Sequence, residues 1–232
     1  MPSSRILRAC GAALLLAGLA LPAQALSLSD LTNKDASSGV RAALERGAGS
    51  AVAKLGVDGG FMNNPQVHIP LPPQLTKVAG QMRMFGMGKQ ADRLEEAMNH
   101  AAEQAVPQAK DVLVGAVRSM TLTDAKNILT GGDESVTSFF KAKTQAQLSQ
   151  RLLPIVKQST DKVGVAQKYN EVATIGAQFG LVPADSASIE QYVTAKTLDG
   201  LYTMIGEEEK AIRADPVGTG SAILGKVFGA LK

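Results

Sequence analysis

The sequence has no tryptophan, one cysteine and two histidines, and aromatic residues fill only 4% of its 232 positions. A single cysteine closes no disulfide within the chain and builds no thiolate metal cage. Two histidines leave little room for imidazole chemistry, and the chain contains no Gly-x-Ser-x-Gly elbow for one to serve. Scarce aromatics beside abundant alanine argue against sheet, because strands favour β-branched and aromatic side chains. The 45% hydrophobic content excludes a disordered chain, while charged residues (19%) interrupt every apolar run long enough to form a second membrane span.

What is present begins with a leader. Arg5 and Arg8 form a positive start, Cys10 to Leu21 supply a short apolar stretch, and Pro22 precedes the small-x-small site Ala23-Gln24-Ala25. The apolar stretch is shorter than the roughly 20 residues of a spanning helix, so we expect a secretory signal peptide cleaved after Ala25. Removing 25 of 232 residues leaves 207 with no cysteine, and losing Arg5 and Arg8 leaves 22 basic against 21 acidic side chains. The basic balance of the whole chain therefore belongs partly to the leader, and a nucleic-acid partner is not expected.

Beyond a lead-in at 26–34, residues 35–232 read as a single helical domain. Asp35 or Ser37 can cap a first helix to Leu55, with Val40, Leu44, Ala48, Ala51, Val52 and Leu55 on one stripe. The segment 61–73 resists a helix because it carries Pro65, Pro70, Pro72 and Pro73, and Val67, Ile69 and Leu71 alternate with His68 and Pro70. It predicts an extended arm or short β-hairpin across the helices. Helices are then expected to start near Pro73, Lys89, Pro107, Thr123 and Asp133, and to run over about 145–162, 165–179, 186–213 and 219–231. Short connections and the lack of a fixed repeat predict an all-α fold, an irregular bundle of about eight to ten helices.

Five strings, taken together, carry a resemblance. They are GGFMNNPQVHIPLPPQL (59–75), GMGKQADRLEEAMNHAAEQAVPQAK (86–110), MTLTDAKNILTGGDESVTSFF (120–140), LPIVKQSTDKVGVAQKYN (153–170) and DGLYTMIGEEEKAIRADPVGTGSAILGKVF (199–228). In this order the chain resembles the bacterial exported family known as domain of unknown function 4197, over roughly residues 28–231. The resemblance implies a mostly helical protein exported to the periplasm of a Gram-negative bacterium and carries no activity with it. The family pattern has less methionine where this chain has Met82 and Met84.

Candidate chemistry rests on few residues. Asp92, Glu95 and Glu96 stand at i, i+3 and i+4 and share part of one helix face, a pattern that also suits solvated ion pairs. Glu207 to Glu209 lie near Lys210 and Arg213 at intrahelical pairing distance. Gly131 and Gly132 free the backbone for positive φ before Asp133, which can cap a helix whose N–H groups would otherwise hold an anion. His68 in the arm and His100 on a polar helix run are hydrogen-bonding or solvated positions. Met82, Met84 and Met87 do not share a face, so no metal site and no cofactor are expected.

Charge is uneven. Residues 137–168 hold Lys141, Lys143, Arg151, Lys157, Lys162 and Lys168 against Asp161, whereas 185–209 hold Asp185, Glu190, Asp199 and Glu207 to Glu209 against Lys196. These stretches either pair with each other or face partners such as an anionic phospholipid surface. The expectation for function is a non-catalytic binding or interaction module of the cell envelope, with an apolar or lipid ligand or an envelope protein as partner. A carboxylate-dependent hydrolase or other enzyme, built on Asp92, Glu95, Glu96 or Asp133, is the alternative. A structural oligomer joined through its C-terminal helices is a further one.

Overall fold

A computed structural model describes residues 33–84, 88–178, 180, 183 and 186–215 of the chain. The expected leader at 1–25, most of the lead-in and the expected helix at 219–231 lie outside these residues. The described part is all-α, with eight α-helices and one 3-10 turn. These are α1 (Asn33–Leu55), α2 (Pro73–Met84), α3 (Gly88–Ala105), the turn Val106–Ala109, α4 (Lys110–Arg118), α5 (Leu122–Thr130), α6 (Ser135–Thr160), α7 (Gly164–Gln178) and α8 (Ile189–Ala214). Among the described residues, no helix is long and apolar enough to cross a membrane.

The centre of the fold is the pair α6 and α8, each 26 residues and so about 39 Å long. They run antiparallel, as three contacts along their length require. Val136 at the start of α6 meets Glu209 near the end of α8, Thr144 meets Tyr202, and Thr160 meets Glu190. Helices α1 and α3 pack against this pair, and α4 and α5 close the remaining side of α1. The α1 stripe expected from spacing is the buried one, from Val40 through Leu55, and Leu94, Met98, Ala101 and Ala102 of α3 are wholly buried.

Several expected boundaries are corrected. The helices expected at Asp133 and at 145 are one helix, because residues 141–145 hold neither glycine nor proline. There the Thr144 hydroxyl donates to the Phe140 carbonyl at 2.6 Å and sits 2.9 Å from the Tyr202 hydroxyl. Pro154 lies inside α6 and removes one ladder bond, yet Leu148, Leu152 and Val156 on the buried stripe carry the helix through it. Thr121, not Thr123, caps α5. Its hydroxyl accepts from the Asp124 N–H at 3.1 Å, while the Asp124 carboxylate accepts from the Thr121 N–H at 3.0 Å, a complete capping box. Asp35 and Ser37 lie within α1 rather than capping it.

The proline-rich segment forms no strand among the described residues, so the expected β-hairpin is not there. Residues 61–67 make two consecutive turns, and 68–72 lead on to α2 with no regular structure. Phe61, Val67, Ile69 and Leu71 all point into the core. The arm reaches α8 because Gly200 has no side chain: a Cβ there would lie 2.8 Å from a Phe61 ring carbon and 3.2 Å from Val67 Cβ.

Candidate functional site

The residues that hold this arm form a dense polar arrangement along α3. Glu95, Asn99 and Glu103 follow one another at i, i+4 and i+8 along α3, in a row beside its apolar stripe. Each takes hold of a different piece of the arm. The Glu95 carboxylate lies 3.4 Å from His68 Nε2. Asn99, wholly buried, accepts from the Ile69 N–H at 2.9 Å and donates to the Ile69 carbonyl at 2.9 Å, pairing with the arm as a neighbouring strand would. Its amide also donates to the Glu95 carbonyl at 2.8 Å. Glu103, also buried, accepts from the Phe61 and Met62 N–H groups at 2.9 and 3.0 Å through Oε1. From α8, the Tyr192 hydroxyl donates to the Pro70 carbonyl at 3.1 Å.

The second oxygen of Glu103 meets His100 Nδ1 at 2.8 Å. Burial pushes the Glu103 carboxyl upward, but the Met62 and Phe61 N–H groups and His100 outweigh it and hold the group below the usual glutamate range. Asp58, on the turn that follows α1, brings its carboxylate to 3.5 Å from the same ring nitrogen, and Glu96 faces Nε2 at 3.9 Å. Both histidines of the chain therefore sit where the arm and its turn meet α3.

A second buried carboxylate stands at the start of α6. The expectation that Asp133 caps this helix is not met: α6 starts at Ser135, its cap position is Glu134, and no side chain of the turn caps it. The anion at this helix end comes from α8 instead. Glu209 accepts from the N–H groups of Val136 at 3.2 Å and Thr137 at 3.3 Å and from the Ser135 hydroxyl at 3.2 Å. Arg213, one turn on, holds the Glu209 carboxylate at 2.9 and 3.1 Å and donates to the Ile128 carbonyl at 2.9 Å, so the end of α5 is tied in as well. This is anion binding at a helix N-terminus, with the protein's own side chain as the anion. Gly131 and Gly132 do not take positive φ, which among the described glycines belongs to Gly59 and Gly180. Gly131 is required by proximity, since a Cβ would lie 2.6 Å from Ser135 Cβ.

Glu190 forms a third such joint. It is buried at the start of α8, where Asn170 of α7 donates to both of its oxygens at 3.0 Å and accepts from the Ile189 N–H at 2.8 Å. The acidic groups of α8 thus have partners of their own. Asp199 pairs with Lys196, Glu207 with Lys210, and Glu208 with Lys54 of α1. The cations of α6 face elsewhere. Lys143 stands 4.0 Å from Asp124, Lys157 pairs with Asp161 at 2.9 Å, and Lys141 and Arg151 are exposed with no ion pair among the described residues. Lys143, Gln147 and Arg151, successive turns of α6, form one wall of an open groove of about 310 Å³, and Asp111 and Gly115 of α4, with Ser119 just past its end, form part of the other.

Of the residues singled out from sequence, Asp92 and Glu96 are exposed on α3, and Glu95 and His68 meet each other. Gly131, Gly132 and Asp133 form the exposed or half-buried turn between α5 and α6. Met84 is exposed at the end of α2, while the Met82 side chain and Met87 lie outside what is described. Sequence reading placed Arg213 at pairing distance from Glu207 to Glu209, and Arg213 does hold Glu209, but it passed over Asn99, Glu103 and the reach of Glu209 across to α6. The available signal was polar side chains at helical spacing directly beside a fully apolar stripe, where solvation is poor and a partner is needed.

A family model described as "Protein of unknown function (DUF4197)" matches residues 30–229, so the chain belongs to that family. No curated protein and no solved structure matches it.

Proposed function

We propose, taking membership of that family as the premise, that the protein is exported to the bacterial periplasm and serves there as a non-catalytic binding module. Its contact surface is the basic face of α6 and the groove this face forms with α4. The observation that carries this reading is the division of charge. The acids of α8 are matched within the fold, whereas Lys141 and Arg151 of α6 stand exposed, and Lys143 and Arg151 line a polar groove. An open groove with cations along one wall suits an anionic headgroup better than an apolar chain, so the ligand class is an anionic phospholipid surface. The leader, with Arg5, Arg8 and the Ala23-Gln24-Ala25 site, supports export.

Two measurements test this. Cell fractionation with N-terminal sequencing should find the protein in the periplasm beginning at Leu26. Sedimentation with phosphatidylglycerol vesicles should show binding that falls steeply with salt, that phosphatidylcholine vesicles do not share, and that K143E/R151E weakens about 10-fold or more, at roughly 1 kcal/mol per cation near the surface. Equal binding to both vesicle types, or to neither, would overturn the reading.

A further inference from the structure

Asp58, His100 and Glu103 each bring one ligand atom to within 4.8 Å of the others, with Asp58 Oδ1 and Glu103 Oε2 both facing His100 Nδ1. We propose that these three residues form a binding site for a divalent transition metal of the zinc class, with three protein ligands and one position open to solvent. The sequence alone gave no hint of it, because Asp58 and His100 are 42 positions apart and lie on different elements. The inference is independent of the membrane-surface reading above.

The donor set is one imidazole nitrogen and two carboxylate oxygens. An imidazole favours zinc and its first-row neighbours over calcium or magnesium, which prefer oxygen alone. The spacing is suitable. His100 Nδ1 and Asp58 Oδ1 are 3.5 Å apart, close to the roughly 3.4 Å that separates two ligands of a tetrahedral ion with bonds of about 2.1 Å. His100 Nδ1 and Glu103 Oε2 are 2.8 Å apart as a hydrogen-bonded pair, and an ion entering between them replaces that bond and parts them by about half an ångström.

The surroundings hold the ligands as a metal site requires. Glu103 Oε1 is anchored by two backbone N–H groups, so the carboxylate cannot rotate away and Oε2 is presented toward His100. On coordination the Nδ1 proton is displaced and the ring carries its proton at Nε2, the nitrogen that faces the Glu96 carboxylate. Asp58 is 93% exposed, so an ion reaches the site from solvent without opening the core. Once bound, it would bridge the turn after α1 to α3 and stiffen the grip on the arm.

The test uses untagged protein stripped with chelator and titrated with Zn²⁺ by calorimetry and with Co²⁺ by visible absorption. One equivalent should bind, with the intense d–d bands of a low-coordinate cobalt site. D58N and H100Q should each weaken binding about 100-fold or more, and H68Q, which removes the other histidine, should leave it within about 2-fold. Failure to bind one equivalent would overturn the proposal. So would binding unchanged in either D58N or H100Q, or loss in H68Q. Asp58 and His100 are not core residues; if H100Q does not fold, D58N alone decides.

Discussion

Glu103 and Glu209 are both buried glutamates that reach across the fold to hold backbone N–H groups, 42 and 73 positions away respectively. They differ in what balances their charge. Arg213 balances Glu209 through an ion pair at 2.9 Å. Glu103 is met instead by the His100 imidazole at 2.8 Å, with the exposed carboxylate of Asp58 beside the same ring nitrogen. The first joint is a permanent fixture between α5, α6 and α8. The second holds the arm rather than the helical frame. The comparison teaches that burial of a carboxylate does not by itself mark chemistry; each of these two carboxylates ties down the backbone of a distant element.

The largest expected effect lies in the permanent joint. E209A removes the acceptor for Val136, Thr137 and Ser135 and leaves the half-buried Arg213 guanidinium without its carboxylate. Breaking one side of a buried pair costs about 3–5 kcal/mol, so urea denaturation should show that loss. A loss below about 1 kcal/mol would mean that α6 does not depend on the cap. E103Q should cost about 1.5–3 kcal/mol at neutral pH, since an amide keeps the shape but loses the charge-assisted bonds to Phe61 and Met62.

The two joints should also separate by pH. The folded-state pKa of Glu103 is lowered, so its contribution to stability is complete above the unfolded-state value and is lost as pH falls through the folded one. Stability of the wild type should therefore decline on acidification below the ordinary glutamate range, and E103Q should flatten that decline while starting from a lower plateau. An acid limb of unchanged slope in E103Q would place the sensitivity elsewhere. A smaller effect concerns the arm itself. G200A puts a methyl group against Phe61 and Val67, and overpacking of this kind costs about 1–3 kcal/mol. Because the clash involves the arm and not α6, its cost should add independently to that of E209A.

The pattern of what was legible in the sequence follows from the range of the interactions. Helical periodicity reports local structure, so the α1 stripe and the buried face of α3 could be read directly. Prolines correctly excluded a helix at 61–72, but proline says only what a segment is not. The arm pairs with the side chain of Asn99 rather than with a second strand, and side-chain pairing leaves no mark in the arm's own sequence. The sequence reading divided one helix into two at residues 141–145, although nothing there breaks a helix. Asp58 and Glu103 met only once the turn after α1 had folded back on α3, so no local spacing could show them together.

The α5–α6 turn offers the sharpest contrast between local and distant capping, and the smallest expected effect. A Gly-Gly-Asp sequence before a helix reads as a glycine turn and an aspartate cap, and losing such a cap typically costs about 1 kcal/mol. Here the first free N–H groups of α6 are already satisfied by Glu209, and Asp133 lies exposed on the turn outside the helix. D133N should therefore change stability by less than about 0.5 kcal/mol, no more than a weak interaction with the helix dipole. T121A, at the true local cap of α5, should cost about 1 kcal/mol because the hydroxyl that accepts from the Asp124 N–H is lost, while the residue 121 N–H can still donate to the Asp124 carboxylate. Chemical denaturation of both variants ranks them. If D133N proves as costly as T121A, the cap of α6 is shared between Asp133 and Glu209. If it proves neutral, Glu209 has taken over a function that most helices leave to a neighbouring residue, and the start of α6 depends on α8 for its cap.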